Sequence, residues 1–246
     1  MFIQDMPVGS RLAFGTIGDN DIIWAKVSDH NDFFAVSSCA YYCFDYPEWR
    51  NTTRGRRTGG NNFYPHSNIA QWLNARGTNW FQAAHSFDES PYWAFDRGFL
   101  TGFTDHEIDL IQPQTVKVVV PVGSRKEFGR EYAYTAKVLL PSASQIGCVD
   151  AEIGNAEGQK LFDPAGCFRS GMPIVMTRTG CKGSGRHIYS YLGGHFAVLS
   201  AGDKTVVHPM IRLGNAQVAP PRYENRLYRL IDADDDFEAR FMTLVS

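Results

Sequence analysis

The 246-residue chain has no long apolar run. Nothing in it approaches the roughly 18 consecutive apolar residues that a membrane-crossing helix needs, so membrane insertion is not expected. Its first residues, Met1-Phe2-Ile3-Gln4-Asp5-Met6, show no basic stretch followed by an apolar one. No secretory leader is therefore expected, and the chain reads as made in a cytoplasm and left or assembled there. A strong charge of either sign is also missing. The 24 Lys and Arg against 26 Asp and Glu leave a formal charge of -2, which gives no global pull toward nucleic acid or an anionic membrane. Cysteines are few, odd in number and scattered: Cys39, Cys43, Cys148, Cys167 and Cys181. Without an export signal, disulfides are disfavoured. Without a second close pair, a zinc site is not indicated. Cys39 and Cys43, set among Val36, Tyr41, Tyr42 and Phe44, read as strand residues with buried thiols.

Catalytic signatures are short as well. Seven histidines (His30, His66, His85, His106, His187, His195, His208) show no HxxxH or HxH spacing, and there is no Gly-x-Ser-x-Gly elbow, P-loop or dinucleotide fingerprint. Neither metal nor cofactor is expected. His187 and His195 approach one another if their strands pair across Gly193-Gly194, but a third ligand in register is lacking. Cys181, His187 and Asp203 can be drawn as a nucleophilic triad, although nothing in their spacing enforces a thiol–imidazole contact. Asp88-Glu89 and Asp105/Glu107/Asp109 read as caps and solvated faces.

What the chain does have is 43% hydrophobic residues, 13% aromatic residues and 23 glycines. This is the make-up of a turn-rich α+β protein with heavy aromatic packing. Residues 8–50 alternate weakly in three runs and predict a β-meander. Asn51 to Asn62, with Arg54, Arg56, Arg57 and three glycines, has no apolar period and reads as a long, mobile, basic loop. Ser67 is placed to cap a helix whose apolar face is Ile69, Trp72 and Leu73, with Gly77 beyond its end. An irregular segment from Phe81 to Phe103 carries enough rings to cover one side of the core. Thr104 and Glu107 form a capping-box pattern. Residues 141–147 read as a turn, an N-cap and one or two helical turns. Strands are predicted around Val116–Val120, Lys137–Leu140, Ile174–Arg178 and His187–Leu192. A hairpin is predicted across Ala201–Lys204, between His195–Leu199 and Val206–Leu213. The simplest partition is one α+β domain over residues 1–214 and an extension over 215–246, the latter a strand at Leu227–Ile231 and a short helix capped by Asp235 with an apolar face of Phe237, Phe241 and Leu244.

Two charged blocks stand out. Arg54, Arg56 and Arg57 are complementary in sign to the run that contains Asp234, Asp235 and Asp236, and blocks of this kind often meet across subunits. The aromatic interleaving of a single-strand platform is missing from the basic block, so nucleic acid is not an expected partner.

In order, Ile23-Trp24, Gly60-Asn61-Asn62-Phe63-Tyr64, Ser67-Asn68-Ile69-Ala70-Gln71-Trp72-Leu73-Asn74, Gly98-Phe99-Leu100-Thr101-Gly102-Phe103, Lys137-Val138-Leu139-Leu140-Pro141-Ser142, Ala156-Glu157-Gly158, Val175-Met176-Thr177-Arg178-Thr179 and Val207-His208-Pro209-Met210 form a pattern over about residues 8–214. It resembles an uncharacterised domain family common in phage and prophage structural genes and in bacterial surface proteins. That family is similar in layout to the formylglycine-generating enzymes and the phage tropism determinants, and it implies a C-type-lectin-like fold for residues 1–214. Val175-Met176 stand where the family has tryptophan and leucine, and the catalytic cysteine pair of the formylglycine-generating enzymes has no counterpart. The resemblance implies a non-enzymatic virion part, in a decoration, fibre, tail or receptor-binding role. Its partners would be further copies of itself, other virion proteins, and a host-surface glycan or protein. A bacterial surface carbohydrate- or protein-binding module is the alternative, and a Cys/His enzyme the least favoured. A ligand site is expected on loops carrying Arg178, Lys182, Arg186, His187 and Tyr189.

Overall fold

The computed structural model describes residues 1–121, 129–148, 160–168, 174–219 and 227–231. The expected C-terminal helix, the Ala156-Glu157-Gly158 block and Asp234, Asp235 and Asp236 lie outside the described residues. The fold is α+β, mostly antiparallel, with a few short helices.

The meander expected from alternation is present. Strands β1 (Arg11–Ile17), β2 (Asn20–Lys26) and β3 (Asp32–Ala35) pair antiparallel in sequence order. The turn before β3 uses Asn31 at φ 58°, a backbone state that asparagine tolerates better than most residues. Then come β4 (Ala40–Cys43), helix α1 (Arg54–Gly59), helix α2 (Asn68–Leu73) and helix α3 (Asp105–Leu110). Strands β5 (Ile111–Gln112), β6 (Gln114–Val119), β7 (Glu131–Ala136) and β8 (Val138–Leu139) follow. After helix α4 (Pro164–Cys167) come β9 (Ile174–Gly180), β10 (His187–Leu192), β11 (His195–Ser200), β12 (Lys204–Val207), β13 (Met210–Leu213), β14 (Val218–Ala219) and β15 (Leu227–Leu230). The main sheet runs β14-β15-β1-β2-β3-β13-β5, with β8 also on β13. β9, β10 and β11 form a second sheet, and β4–β12 and β6–β7 are two-stranded ribbons.

Local signals explain the helix ends. Ser67 Oγ accepts the Ala70 N–H at 3.3 Å and so caps α2, whose Ile69, Trp72 and Leu73 are all buried. The Trp72 indole N–H finds the Arg97 carbonyl at 2.9 Å, so the ring packs in the core without an orphaned donor. Thr104 and Glu107 close the capping box of α3 in both directions. From the aromatic segment, Trp80, Trp93, Phe99 and Phe103 enter the core, whereas Phe95 is 77% exposed. Glycine is required at 102, where an added Cβ would meet the Thr16 carbonyl oxygen at 1.9 Å.

Four expectations are corrected. Residues 51–62 are not a continuous loop, because Arg54–Gly59 is helical. Its turns close on local bonds, Arg57 N to Thr53 O and Gly60 N to Arg56 O, while Glu48 N and Gly202 N dock it from elsewhere in the chain, which propensity does not see. The Ala201–Lys204 turn does not join a hairpin: β11 pairs with β10, while β12 leaves to pair with β4. The expected strand over Val206–Leu213 is two, β12 and β13, broken at His208-Pro209. Residues 141–147 are hydrogen-bonded turns without a helix, closed by Gly147 N to Ser144 O and Cys148 N to Ala143 O. All five cysteines are free, and Cys43 ends a strand as expected.

Candidate functional site

Several residues of the family-like pattern bond to one another and make a frame. Asn74 is the clearest case. Its Nδ2 donates to the carbonyls of Ala70 and Val138, and its Oδ1 accepts from the N–H groups of Lys137 and Val138. One carboxamide thus ties α2 to β8. The buried Tyr64 hydroxyl accepts the Leu140 N–H, and Asn62 Nδ2 donates to the carbonyls of Ser184 and His187, both at 2.7 Å. Val175 and Met176 are fully buried.

Asn62 also fixes the loop between β9 and β10 against the end of α1. The Asn62 N–H reaches the Gly185 carbonyl. The Gly59 carbonyl accepts the Gly202 N–H at 2.8 Å and the Ser200 hydroxyl at 3.3 Å. The Arg186 side chain lies against the glycine side of α1: a Cβ on Gly59 would stand 2.9 Å from Arg186 Cδ, and one on Gly55 would stand 3.6 Å from it. The loop that carries Arg186 is thereby held against α1, on the side away from Arg54 and Arg57. Arg54 and Arg57 on α1 are exposed, as are Lys182 and Arg186 on the loop. Among the described residues none of these four closes an ion pair.

The remaining residues of the two expected sites lie elsewhere or serve other ends. Arg178 is 3% exposed, and its Nη1 donates to the Leu140 carbonyl at 2.6 Å and to Gln145 Oε1 at 2.9 Å. It packs inward, away from the basic surface. Tyr189 is half-buried on β10, where its carbonyl accepts the Thr177 hydroxyl. His187 is half-buried, and its Nδ1 sits 2.8 Å from Ser184 Oγ. Burial, then the Arg186 charge, lowers its pKa, and Asp203 opposes them. Cys181 meets His187 through the backbone, N–H to carbonyl, and burial pushes its thiol up to about 12. A thiol so placed stays protonated at neutral pH. The β10–β11 pairing across Gly193-Gly194 is present, but it sets His187 opposite Ser200 and His195 opposite Leu192. The two histidines therefore stand at opposite ends of the hairpin.

Arg56, the third arginine of α1, is half-buried and leads to a site that spacing did not reveal. Below α1 is a polar cleft whose lining includes Asp45, Glu48, Asn61, His66, Asn68 and Asp88. Asp45 accepts the backbone N–H groups of Asn61 at 2.8 Å and Asn68 at 2.9 Å. Burial nevertheless holds its carboxyl well above the usual carboxylate range, with Glu48 and Asp88 pushing the same way. Glu48 accepts from Asn51 Nδ2 at 2.6 Å. Its pKa is raised by burial and drawn back by Arg56. The His66 ring meets the His85 ring edge-on at 5.7 Å, and His85 stacks on Phe87 at 4.9 Å. His85 Nδ1 stands 3.4 Å from Asp88 Oδ1. Burial, then His85, lowers the His66 pKa. The lining residues come from three separate stretches, 45–48, 61–71 and 81–89, so no motif search over the sequence gathers them. The paired aromatics and acids of residues 81–89 were the only available signal.

No group of three or more His, Cys, Asp or Glu among the described residues has the arrangement to hold a metal ion. No helix among them is long and apolar enough to cross a membrane. No family model, curated protein or solved structure matches the chain.

Proposed function

We propose that this chain is a non-enzymatic virion structural protein with a C-type-lectin-like fold, and that it presents a rigid surface for host attachment or particle assembly. The observation that carries the reading is the division of labour between the frame and what stands on it. Residues of the family-like pattern are spent on holding the frame, as with Asn74, Tyr64, Asn62 and Gly102. The exposed cations stand outside that pattern, on α1 and the 181–187 loop, yet are clamped to it by Gly59 and Asn62. A surface held this way loses little conformational entropy on contact, as a display module requires.

Within this reading Arg54 and Arg57, but not Arg56, which stands half-buried beside Glu48, pair with the acidic residues Asp234, Asp235 and Asp236 of a neighbouring copy, in a closed homo-oligomer. Gold-labelled antibody raised against the chain should decorate intact phage particles. Labelling found only in particle-free material would overturn the virion assignment. In light scattering of the purified chain, R54E/R57E should shift the mass toward monomer, more at low salt than at high. An unchanged mass at low salt would remove the subunit contact.

A further inference from the structure

The polar cleft below α1 holds atoms that the fold leaves unspent. Asn61 and Asn68 both line it, and they are only 3% and 5% exposed. Each spends its Oδ1 on a backbone N–H, Asn61 on that of Phe63 at 3.0 Å and Asn68 on that of Tyr46 at 2.7 Å. Those bonds fix which end of each carboxamide is the oxygen. Neither Nδ2 then donates a hydrogen bond among the described residues. Asp88, on the same lining, is the counterpart. Its Oδ2 accepts the His85 N–H at 2.8 Å, whereas its enclosed Oδ1 accepts no hydrogen bond among the described residues. Buried polar groups are costly to leave unbonded. Two donors and one acceptor are thus left for a ligand in one cleft, whose enclosed room of about 10 Å³ admits a single water-sized group.

We propose that the cleft takes one hydroxyl of a neutral sugar residue, held by Asn61, Asn68 and Asp88, with the sugar ring lying against Phe81 at the mouth. A hydroxyl carries one O–H donor and two lone pairs, which matches two Nδ2 donors and one carboxylate oxygen. An ammonium group has no lone pair to offer the carboxamides. A carboxylate or phosphate would bring negative charge into a cleft already lined by Asp45, Glu48 and Asp88. The mouth suits the rest of such a ligand. Gln71 grips Gln82 by both backbone groups, its Oε1 accepting the N–H at 2.7 Å and its Nε2 donating to the carbonyl at 3.1 Å. That grip holds the neighbouring Phe81 half-buried on the cleft lining. An aromatic face beside a few placed polar groups is the make-up of a small-molecule site. The site gives the display surface a ligand class and rests on the display reading for its place in attachment. Sugar binding and particle labelling are separate measurements, so the failure of one is distinguishable from the failure of the other.

Saturation-transfer NMR on the full chain tests the site, with the methyl α-glycosides of glucose, galactose, mannose and N-acetylglucosamine as probes. At least one should bind, with a dissociation constant on the order of millimolar, as its size predicts. D88N replaces the unspent acceptor by a donor and keeps an oxygen for the His85 N–H. N68D replaces an unspent donor by an acceptor and keeps the oxygen for Tyr46. Each should weaken binding roughly tenfold or more. F81A leaves all of these bonds in place and should remove the saturation of the sugar C–H protons that face the ring. Melting temperatures verify the fold, and if D88N and N68D do not fold, F81A decides alone. Silence from all the glycosides at concentrations well above millimolar overturns the proposal and leaves the cleft to water. Wild-type binding by the folded variants also overturns it. So does displacement of the bound glycoside by lower concentrations of methylammonium or acetate, which would make the ligand a charged one.

Discussion

The upper and lower sides of the segment from Arg54 to Asn68 meet opposite charge in opposite surroundings. Above, Arg54 and Arg57 stand in water, and their charges cost little to keep. Below, Asp45 and Glu48 are 4% and 3% exposed, where a charge is expensive unless it is bonded. The same residue types therefore behave differently. The surface cations remain free for a partner and are screened by salt. The enclosed acids and histidines exert their effect on the fold itself, through hydrogen bonds and displaced pKa values. A count of charges along the sequence sees both as polar stretches, and only the packing separates them.

The sharpest way to break this contrast is at Gly60, the joint between the two sides. It sits at φ 72°, and a Cβ there would lie 2.5 Å from the Asp45 carbonyl oxygen. G60A should cost about 4 kcal/mol, from the left-handed backbone and the clash together. A urea midpoint within error of wild type would show that the joint is not held as described. Next in size is Asp45 itself. D45A strands two buried N–H groups, those of Asn61 and Asn68, and should cost about 3 kcal/mol at neutral pH. Equal loss of stability from R57A, on the exposed side, would erase the distinction between the two regions.

Acid sharpens the comparison with a smaller effect. For Asp45 and Glu48 the folded pKa is raised, so the folded state binds more protons. Their contribution is present in acid and lost as pH rises through the folded values. For His66 the folded pKa is lowered, so its contribution is lost as pH falls below the ordinary histidine value. Within the cleft these two tendencies oppose each other. His208, in neither region, is unopposed. Buried with Nδ1 3.0 Å from the Ala35 carbonyl oxygen, it titrates near about 4 because burial outweighs the carbonyls of Ala35 and Ser37. Between about pH 7 and pH 5 it should remove roughly 2 kcal/mol of stability. H208Q should abolish most of that drop in urea midpoints. H66Q should instead leave a chain that acid stabilises relative to wild type, and a steeper acid loss would reverse the sign assigned to the cleft.

What could be read from sequence was whatever is encoded within a few residues. The Ser67 cap, the Thr104–Glu107 box and the strands of the meander each depend on neighbours at fixed offsets, and the structure contains them. Helix α1 was illegible because Arg-Gly-Arg-Arg-Thr-Gly has no apolar face. It is held by the turn after β11, through Gly59. The pairing of β12 with β4 joins residues about 160 apart, and the turn signal at Ala201 pointed to the nearer strand. The cleft was missed for the same reason, since Asp45, His66 and Asp88 meet only after the chain has returned on itself. The arginine block and the loop carrying Lys182 and Arg186 were each visible, but the docking of that loop on α1 depends on Asn62 and on two glycines that leave room for Arg186.

Strand β15 pairs parallel with β1, Arg11 beside Leu227 and Ala13 beside Arg229. On a ribosome adding about 5–20 residues per second, β1 waits on the order of ten to forty seconds for its last neighbour. During that interval one flank of the nascent sheet is an open template for other chains. Yield in a cell should therefore depend on what shields that flank while translation continues, and co-expressed holdase chaperones should raise it more than slower cooling of a purified, refolding sample does.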